Sequence, residues 1–359
     1  MFTAILISTI AYATLLILFA ITLAKLPKNF SPVNNFKSFS IIIPFKNESQ
    51  RIGPLLSSLQ NINYPSHLYE IIWVNDHSSD RTVQVIEKEK IICSRIINAT
   101  RTGKKQAIAE GAAHASKEYL IFIDADTSFD RNFLKGWNRF IQNHPGTKFM
   151  FGNVIMQGGT DFLSFFQQIE FAVLQATGIA STLLKSGITG SASNMCIKKE
   201  FLSTLIDDIR FDIPSGDDMF LLFAAKKHNR QGIAWNYLPE STVFTLPETS
   251  LTSFVRQRIR WTGKGKFFND ITTVATGFCV YAANLSIMVS WLAYGLFPTL
   301  FLLLIKILPE IFLLYVYNHT IANRGEIRIV KLLFFALIYP LYATVLIPTG
   351  LILFRKEKP

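Results

Sequence analysis

Asp124 and Asp126 stand two residues apart, directly after the apolar run Tyr119-Leu120-Ile121-Phe122-Ile123. A short run of this kind, β-branched and bounded by polar residues, predicts a buried strand of a parallel sheet. The two carboxylates then sit at its carboxyl end, the edge where open α/β sheets bind ligands. Two acids there suit a divalent cation that holds a diphosphate, because hard cations take carboxylate oxygens and share their shell with phosphate. Alone, the pair reads as two solvated loop acids. Its weight comes from the polar groups that end other apolar runs. Pro44-Phe45-Lys46-Asn47-Glu48 closes the run 39–43, and Asn75-Asp76-His77-Ser78-Ser79-Asp80 closes 71–74. Thr102-Gly103-Lys104-Lys105 opens a helix, where backbone N–H groups and a lysine can hold a phosphate or a base edge. Gly216-Asp217-Asp218 opens an apolar helix, a place that acids favour for dipole reasons alone. Arg256-Gln257-Arg258-Ile259-Arg260-Trp261 ends a helix predicted over 249–261. That cluster is either a basic interface anchor or part of a site.

The elements that must position these residues alternate. Strands over 39–43, 71–74, 94–97 and 119–123 are separated by helices over 50–60, 80–90 and 103–116. Such βαβα alternation predicts a mostly parallel sheet covered on both faces, with the polar clusters converging on one edge. No G-x-G-x-x-G or P-loop is present, which removes the main evidence for those nucleotide folds. Residues 2–24 are almost wholly apolar and long enough to span a bilayer. Lys25, Lys28 and Lys37 follow that run rather than precede it. This fits an uncleaved anchor that keeps the next domain cytoplasmic, not a signal peptide. A linker rich in Pro, Asn and Ser covers 27–38. Residues 161–185 carry Phe162, Phe165, Phe166, Ile169, Val173 and Leu174 at helical spacing, and suit either a core helix or one lying at a bilayer interface.

From residue 271 the chain is apolar again, with membrane-length stretches at 272–296, 298–317 and 329–354. Lys306 and Glu310, four apart, share a helix face and are expected to pair inside protein. Arg324 and Arg328 fit a cytoplasmic loop. Three spans would then carry Arg355-Lys356-Glu357-Lys358 across the membrane, against the positive-inside tendency, unless one stretch is re-entrant or interfacial. The expected plan is an anchor at 1–26, a cytoplasmic domain at 38–270 and a membrane region at 271–359. Half of the 359 residues are hydrophobic and the net charge is +11. With no nucleic-acid module and with basic residues beside apolar segments, the charge suits a membrane surface rather than nucleic acid. Cys93, Cys196 and Cys279 have unrelated spacing, so neither a disulfide framework nor a cysteine metal site is expected.

Taken together these motifs resemble the family 2 glycosyltransferases of the GT-A fold, an α/β, Rossmann-like architecture. More narrowly they resemble the membrane-bound branch with a Gln-x-x-Arg-Trp motif, which includes cellulose, chitin, hyaluronan and poly-N-acetylglucosamine synthases and ceramide glucosyltransferases. The resemblance covers residues 38–270. It implies that Pro44, Asn47 and Glu48 form the first-strand segment near the nucleotide, and that Asp76 accepts from a uracil base. Lys104, in Gly103-Lys104-x-x-Ala107, matches the donor-binding lysine. Asp124 and Asp126 match the D-x-D pair for Mg²⁺ or Mn²⁺, with Asp126 the direct metal ligand. Asp218 matches the catalytic base, and Asp217 stands where Glu is more common. Gln257 and Trp261 would contact the acceptor, with Arg260 on the donor side. The usual Asp-Asp-Gly-Ser appears here as Asn75-Asp76-His77-Ser78, which bears on base selectivity.

The resemblance therefore implies an integral membrane enzyme, in a bacterial inner membrane, that moves a sugar with inversion from a nucleotide-sugar, UDP-linked by the Asp76 match. The acceptor is a membrane lipid or a growing glycan. The short chain, one N-terminal span and no appended regulatory domain lean towards the lipid. A soluble sugar-phosphate nucleotidyltransferase would have no need of Trp261 beside apolar spans. An inactive scaffold would be expected to have lost Asp76, Asp124, Asp126 or Asp218.

Overall fold

The computed structural model describes residues 1–27, 30–33, 35–208, 210–213, 216–322 and 329–354. Lys28, Arg324, Arg328 and the basic tail from Arg355 lie outside the described residues. Among the described residues the chain divides into two compact units: one holds residues 27–157 and 190–246, the other 1–26, 158–189 and 247–354.

The first unit is built on ten strands: β1 Phe39–Phe45, β2 Tyr69–Asn75, β3 Ser94–Asn98, β4 Tyr119–Phe122, β5 Thr127–Phe129, β6 Phe149–Gly152, β7 Val154–Met156, β8 Met195–Lys198, β9 Ile233–Asn236 and β10 Val243–Thr245. Seven form one sheet in the order β3-β2-β1-β4-β8-β6-β9, and β5-β10-β7 form a small second sheet. The large sheet is parallel except for β8, which runs against both β4 and β6. Every residue of β1 and β4 is buried, as expected for strands covered on both faces. The helix Lys104–His114 lies close enough on the sheet that a Cβ at Gly111 would stand 2.5 Å from Ile42 and 2.9 Å from Val74.

Chain order explains where a ligand can enter. From β1 the sheet grows outward through β2 and β3, and the chain then returns to place β4 on the other side of β1. The carboxyl ends of β1 and β4 thus flank a topological switch point, where open sheets leave a crevice. Pro44 marks the spot. β1 pairs with β2 through Phe45, but its pairing with β4 stops at Ile42, whose carbonyl accepts from Ile123. Two residues on, position 44 faces the same side, where no strand is left to receive an N–H. Proline therefore costs no ladder bond in what is otherwise a central strand.

The second unit is helical: Phe2–Ala24, Phe162–Leu183, Leu251–Gly263, Ile271–Tyr294, Leu296–Tyr317 and Ile329–Leu353. Among the described residues four helices are long and apolar enough to cross a membrane, Phe2–Ala24, Ile271–Tyr294, Leu296–Ala322 and Lys331–Leu353. The helix Phe162–Leu183, capped by Asp161 on Ser164 N at 3.0 Å, buries Phe166 and Ile169 with Phe254, Leu314, Leu332 and Phe335. One face of it is core; Phe162 and Leu174 on the remainder are exposed. Lys306 and Glu310 pair at 2.6 Å as expected, and the Tyr12 hydroxyl donates to the same Glu310 oxygen at 2.7 Å. A second buried pair joins Arg258 to Glu170 at 2.6 Å, with Tyr342 donating to the other Glu170 oxygen at 2.7 Å. Such pairs are strongly destabilising to break one partner at a time, because a charge is then left buried alone.

Candidate active site

The carboxyl edge of the large sheet gathers the charged side chains. Asp76 follows β2, is 6% exposed, and its Oδ1 accepts from Gly103 N at 2.9 Å. Gly103 has φ +121°, a conformation L side chains rarely adopt, so glycine is what lets the loop end on Asp76 and start the next helix. Lys46 Nζ lies 4.0 Å from the other Asp76 oxygen. Lys104, the first residue of that helix, places Nζ 2.5 Å from Asp124 Oδ1. Burial works against the Lys104 ammonium, but the fields of Asp124, Asp217 and Asp218 outweigh it and raise its pKa. The two acids that open the helix Asp217–Asn229 are thus near enough for the lysine to feel their charge. Gly216, at φ +86°, makes the sharp entry to this helix, and Asp218 Oδ1 accepts from Met219 N at 2.8 Å.

Asp126 is only partly exposed, and burial followed by its neighbour Asp124 raises its pKa, against Arg51 and Lys104. Arg51 NH1 approaches Asp126 Oδ2 at 3.4 Å, and NH2 meets Glu48 at 2.9 Å. Burial, with Asp126 and Asp124 close by, pushes Glu48 up to about 7 despite Arg51. Asn47, at φ +58°, turns the chain after β1, and its Oδ1 accepts from Ser79 N at 2.8 Å and Asp80 N at 3.3 Å. This bond locks the loop after β1 to the loop after β2.

Eight sequence-derived candidates thus lie at one edge: Asn47, Glu48, Asp76, Lys104, Asp124, Asp126, Asp217 and Asp218. Pro44 stands in the strand beneath them. Gln257, Arg260 and Trp261 belong to the helical unit. There Gln257 Nε2 donates to Glu248 at 3.0 Å, and Arg260 is exposed. The Arg258 guanidinium lies 4.3 Å from the centre of the Trp261 ring and 4.6 Å from that of Phe254. Trp261 is therefore packed against a buried cation, a contact that the spacing of the motif did not reveal. Sequence reasoning also missed Arg51, Lys46 and Ser193, whose Oγ donates to Asp124 Oδ2 at 2.6 Å. Lys46, inside the polar cluster after the first strand, and Arg51, three residues from Glu48, were the two with a local signal.

The acids and the lysine lie at the switch point of a mixed sheet, and that sheet is the GT-A fold. Residues 40–204 match the model for Glycosyl transferase family 2, and the chain carries a domain of that family. A poly-beta-1,6-N-acetyl-D-glucosamine synthase of Staphylococcus epidermidis is 28% identical over 236 residues, 64% of this chain and 55% of that protein. The poly(ribitol-phosphate) beta-N-acetylglucosaminyltransferase TarS of Staphylococcus aureus is 31% identical over 111 residues, 30% of this chain and 19% of its own. The chain spans about half the length of the synthases it matches. Among solved structures, the mannosyltransferase PcManGT from Pyrobaculum calidifontis, in complex with GDP-Man and Mn²⁺, shares the fold with a TM-score of 0.61. Its identity is 16%, and the match covers 95% of this chain and 99% of that one.

Proposed function

We propose that this chain is a membrane-bound, inverting glycosyltransferase that moves a sugar from a nucleotide-sugar, first a UDP-sugar, to a hydroxyl of a membrane lipid. The observation that carries this reading is the grouping of Asp124, Asp126, Asp217 and Asp218 around Lys104 at the switch-point crevice. The four long apolar helices and the +11 charge support a membrane setting, with the plan of anchor, cytoplasmic domain at 38–270 and membrane region. The staphylococcal relatives favour a bacterial cell membrane.

The acids suit Mg²⁺ or Mn²⁺. Asp126 offers hard carboxylate oxygens, and its pKa is raised by burial first and then by the neighbouring Asp124, both of which a cation would offset. Among the described residues no group of three or more His, Cys, Asp or Glu could enclose a metal. Diphosphate oxygens and water would complete the shell, as is usual for Mg²⁺. When bound, the ion supplies charge neutralisation for the departing diphosphate.

The chain's own groups do the rest. Lys104 places a second positive charge beside the acids, where the leaving group gains negative charge. Asp76 and the Asn47-locked loop form the edge against which a base is held. Asp218, oriented by Met219 N, takes the proton of the attacking hydroxyl, a role typically worth about 10²–10⁴-fold in rate. Attack opposite the leaving group inverts the anomeric centre. Asp217 and Gln257 serve the acceptor and Arg260 the donor, as the motif implies. The same motif assigns Trp261 to the acceptor.

A second reading is a processive polysaccharide synthase, favoured by the 28% identity to a poly-N-acetylglucosamine synthase. One experiment separates the two. Membranes carrying the protein are incubated with radiolabelled UDP- and GDP-sugars and Mn²⁺ or Mg²⁺, with Asp218→Asn as control, and the product is partitioned between solvent and water. Label in the organic phase, absent from the control, supports lipid transfer. High-mass aqueous label supports the polymer. No transfer and no nucleotide binding would sink the enzymatic reading.

A further inference from the structure

Asp124 is held from two sides. Lys104 Nζ takes Oδ1 at 2.5 Å and Ser193 Oγ donates to Oδ2 at 2.6 Å. The serine lies 69 positions away in sequence, on the turn that leads into β8. That turn has little freedom to place it elsewhere. Ser193 N donates to Ser191 Oγ at 3.3 Å. The next residue, Asn194, is wholly buried, and its Nδ2 donates to Asn153 O and to Ser241 O at 2.9 Å each. A Cβ at Gly152 would collide with that amide, and a Cβ at Gly190 would collide with the Phe151 ring at Cζ. Two glycines and a buried amide thus fix the turn against β6, and Ser193 projects from it onto the D-x-D pair.

A carboxylate whose oxygens are engaged by an ammonium and a hydroxyl is turned towards those donors and is a weaker competitor for a cation. We propose that Ser193 is a positioning residue for donor binding. It locks Asp124 onto Lys104, so that Asp126 is the acid presented to the cation of a nucleoside diphosphate and Lys104 stays at the diphosphate's flank. This rests on the nucleotide-sugar reading above. Without the hydroxyl, Asp124 gains rotational freedom, competes with Asp126 for the cation and draws Lys104 with it.

The test is titration calorimetry of UDP and of GDP, each with Mn²⁺, into the full chain in detergent. The proteins are wild type, Ser193→Ala, Ser193→Thr, Asp124→Asn and the Ser193→Ala/Asp124→Asn double variant, with thermal unfolding of each recorded. Loss of one bond to a charged group should raise the Kd of Ser193→Ala about tenfold, equivalent to about 1.4 kcal/mol. Threonine, which keeps the hydroxyl, should restore most of the affinity. The double variant should bind no more weakly than Asp124→Asn, because the serine acts only through that carboxylate. A merely structural serine would lower unfolding temperature in proportion, and its effect would add to that of Asp124→Asn. An unchanged Kd in Ser193→Ala, no recovery with threonine, or additivity would overturn the proposal while wild-type binding leaves the nucleotide reading standing. Absence of UDP and GDP binding by wild type would remove both.

Discussion

Replacing Lys104 by methionine should move two affinities in opposite directions. In the free protein Lys104 is the counter-charge of Asp124, at 2.5 Å, and is further held charged by Asp217 and Asp218. A free divalent cation must compete with it. A diphosphate, by contrast, gains from it. Two unit charges about 5 Å apart in an effective dielectric of about 20 interact by about 3 kcal/mol. The lysine side chain is 40% exposed, and solvent and salt reduce the figure to about 1–2 kcal/mol. In Lys104→Met the Kd of UDP or GDP with Mn²⁺ should therefore rise about 5–30-fold. Mn²⁺ alone should bind more tightly by a similar factor. Calorimetry reads the first and electron paramagnetic resonance of free Mn²⁺ the second, with unfolding temperature as a check on integrity. If both affinities fall together, or the nucleotide affinity does not move, Lys104 is not the diphosphate's partner and the electrostatic account of the crevice is wrong.

Other outcomes follow from single contacts. Asp218→Asn should lower transfer by about 10²–10⁴-fold with nucleotide affinity nearly unchanged, read by paired activity and calorimetric assays; near wild-type turnover would move the base elsewhere. Glu70 is partly desolvated, which raises its pKa, but bonds from Ser116 N at 2.6 Å, Ser40 Oγ at 2.7 Å and Ser116 Oγ at 2.8 Å, with Arg95 nearby, bring it below the ordinary 4.5. The folded state therefore prefers the ionised form. The stability this contributes is present above the ordinary carboxyl range and is lost as pH falls through the lower folded pKa. Glu70→Gln should be less stable than wild type at neutral pH, with the gap closing on acidification; a gap constant in pH would refute this. Gly263→Ala would set a Cβ 2.7 Å from the Gly350 carbonyl and into Phe354, where the helices Leu251–Gly263 and Ile329–Leu353 cross closely. Overpacking there should cost about 1–3 kcal/mol, seen as a lower unfolding temperature in detergent.

The amino-acid sequence by itself determined the chemistry-bearing residues and the elements beneath them. Four apolar runs came out as β1, β2, β3 and β4, and the long apolar stretches as helices, because strand burial and helix length are written locally in hydrophobic pattern. The polar ends of three of those runs met at one edge because parallel strands share a direction. What followed residue 126 was less legible. The strands β5 to β10 are three or four residues long, too short for a period to show, and β8 runs antiparallel between β4 and β6. Only the tertiary structure could decide that Asp124 is shared between Lys104 and Ser193, since that depends on a turn fixed by Gly152, Gly190 and Asn194 far along the chain. The same holds for Trp261, whose ring is met by the buried Arg258 because Glu170, itself held by the Tyr342 hydroxyl, pairs with that guanidinium. Residue type and spacing select what chemistry is available; which oxygen faces which cation is set by packing between segments that no local pattern connects.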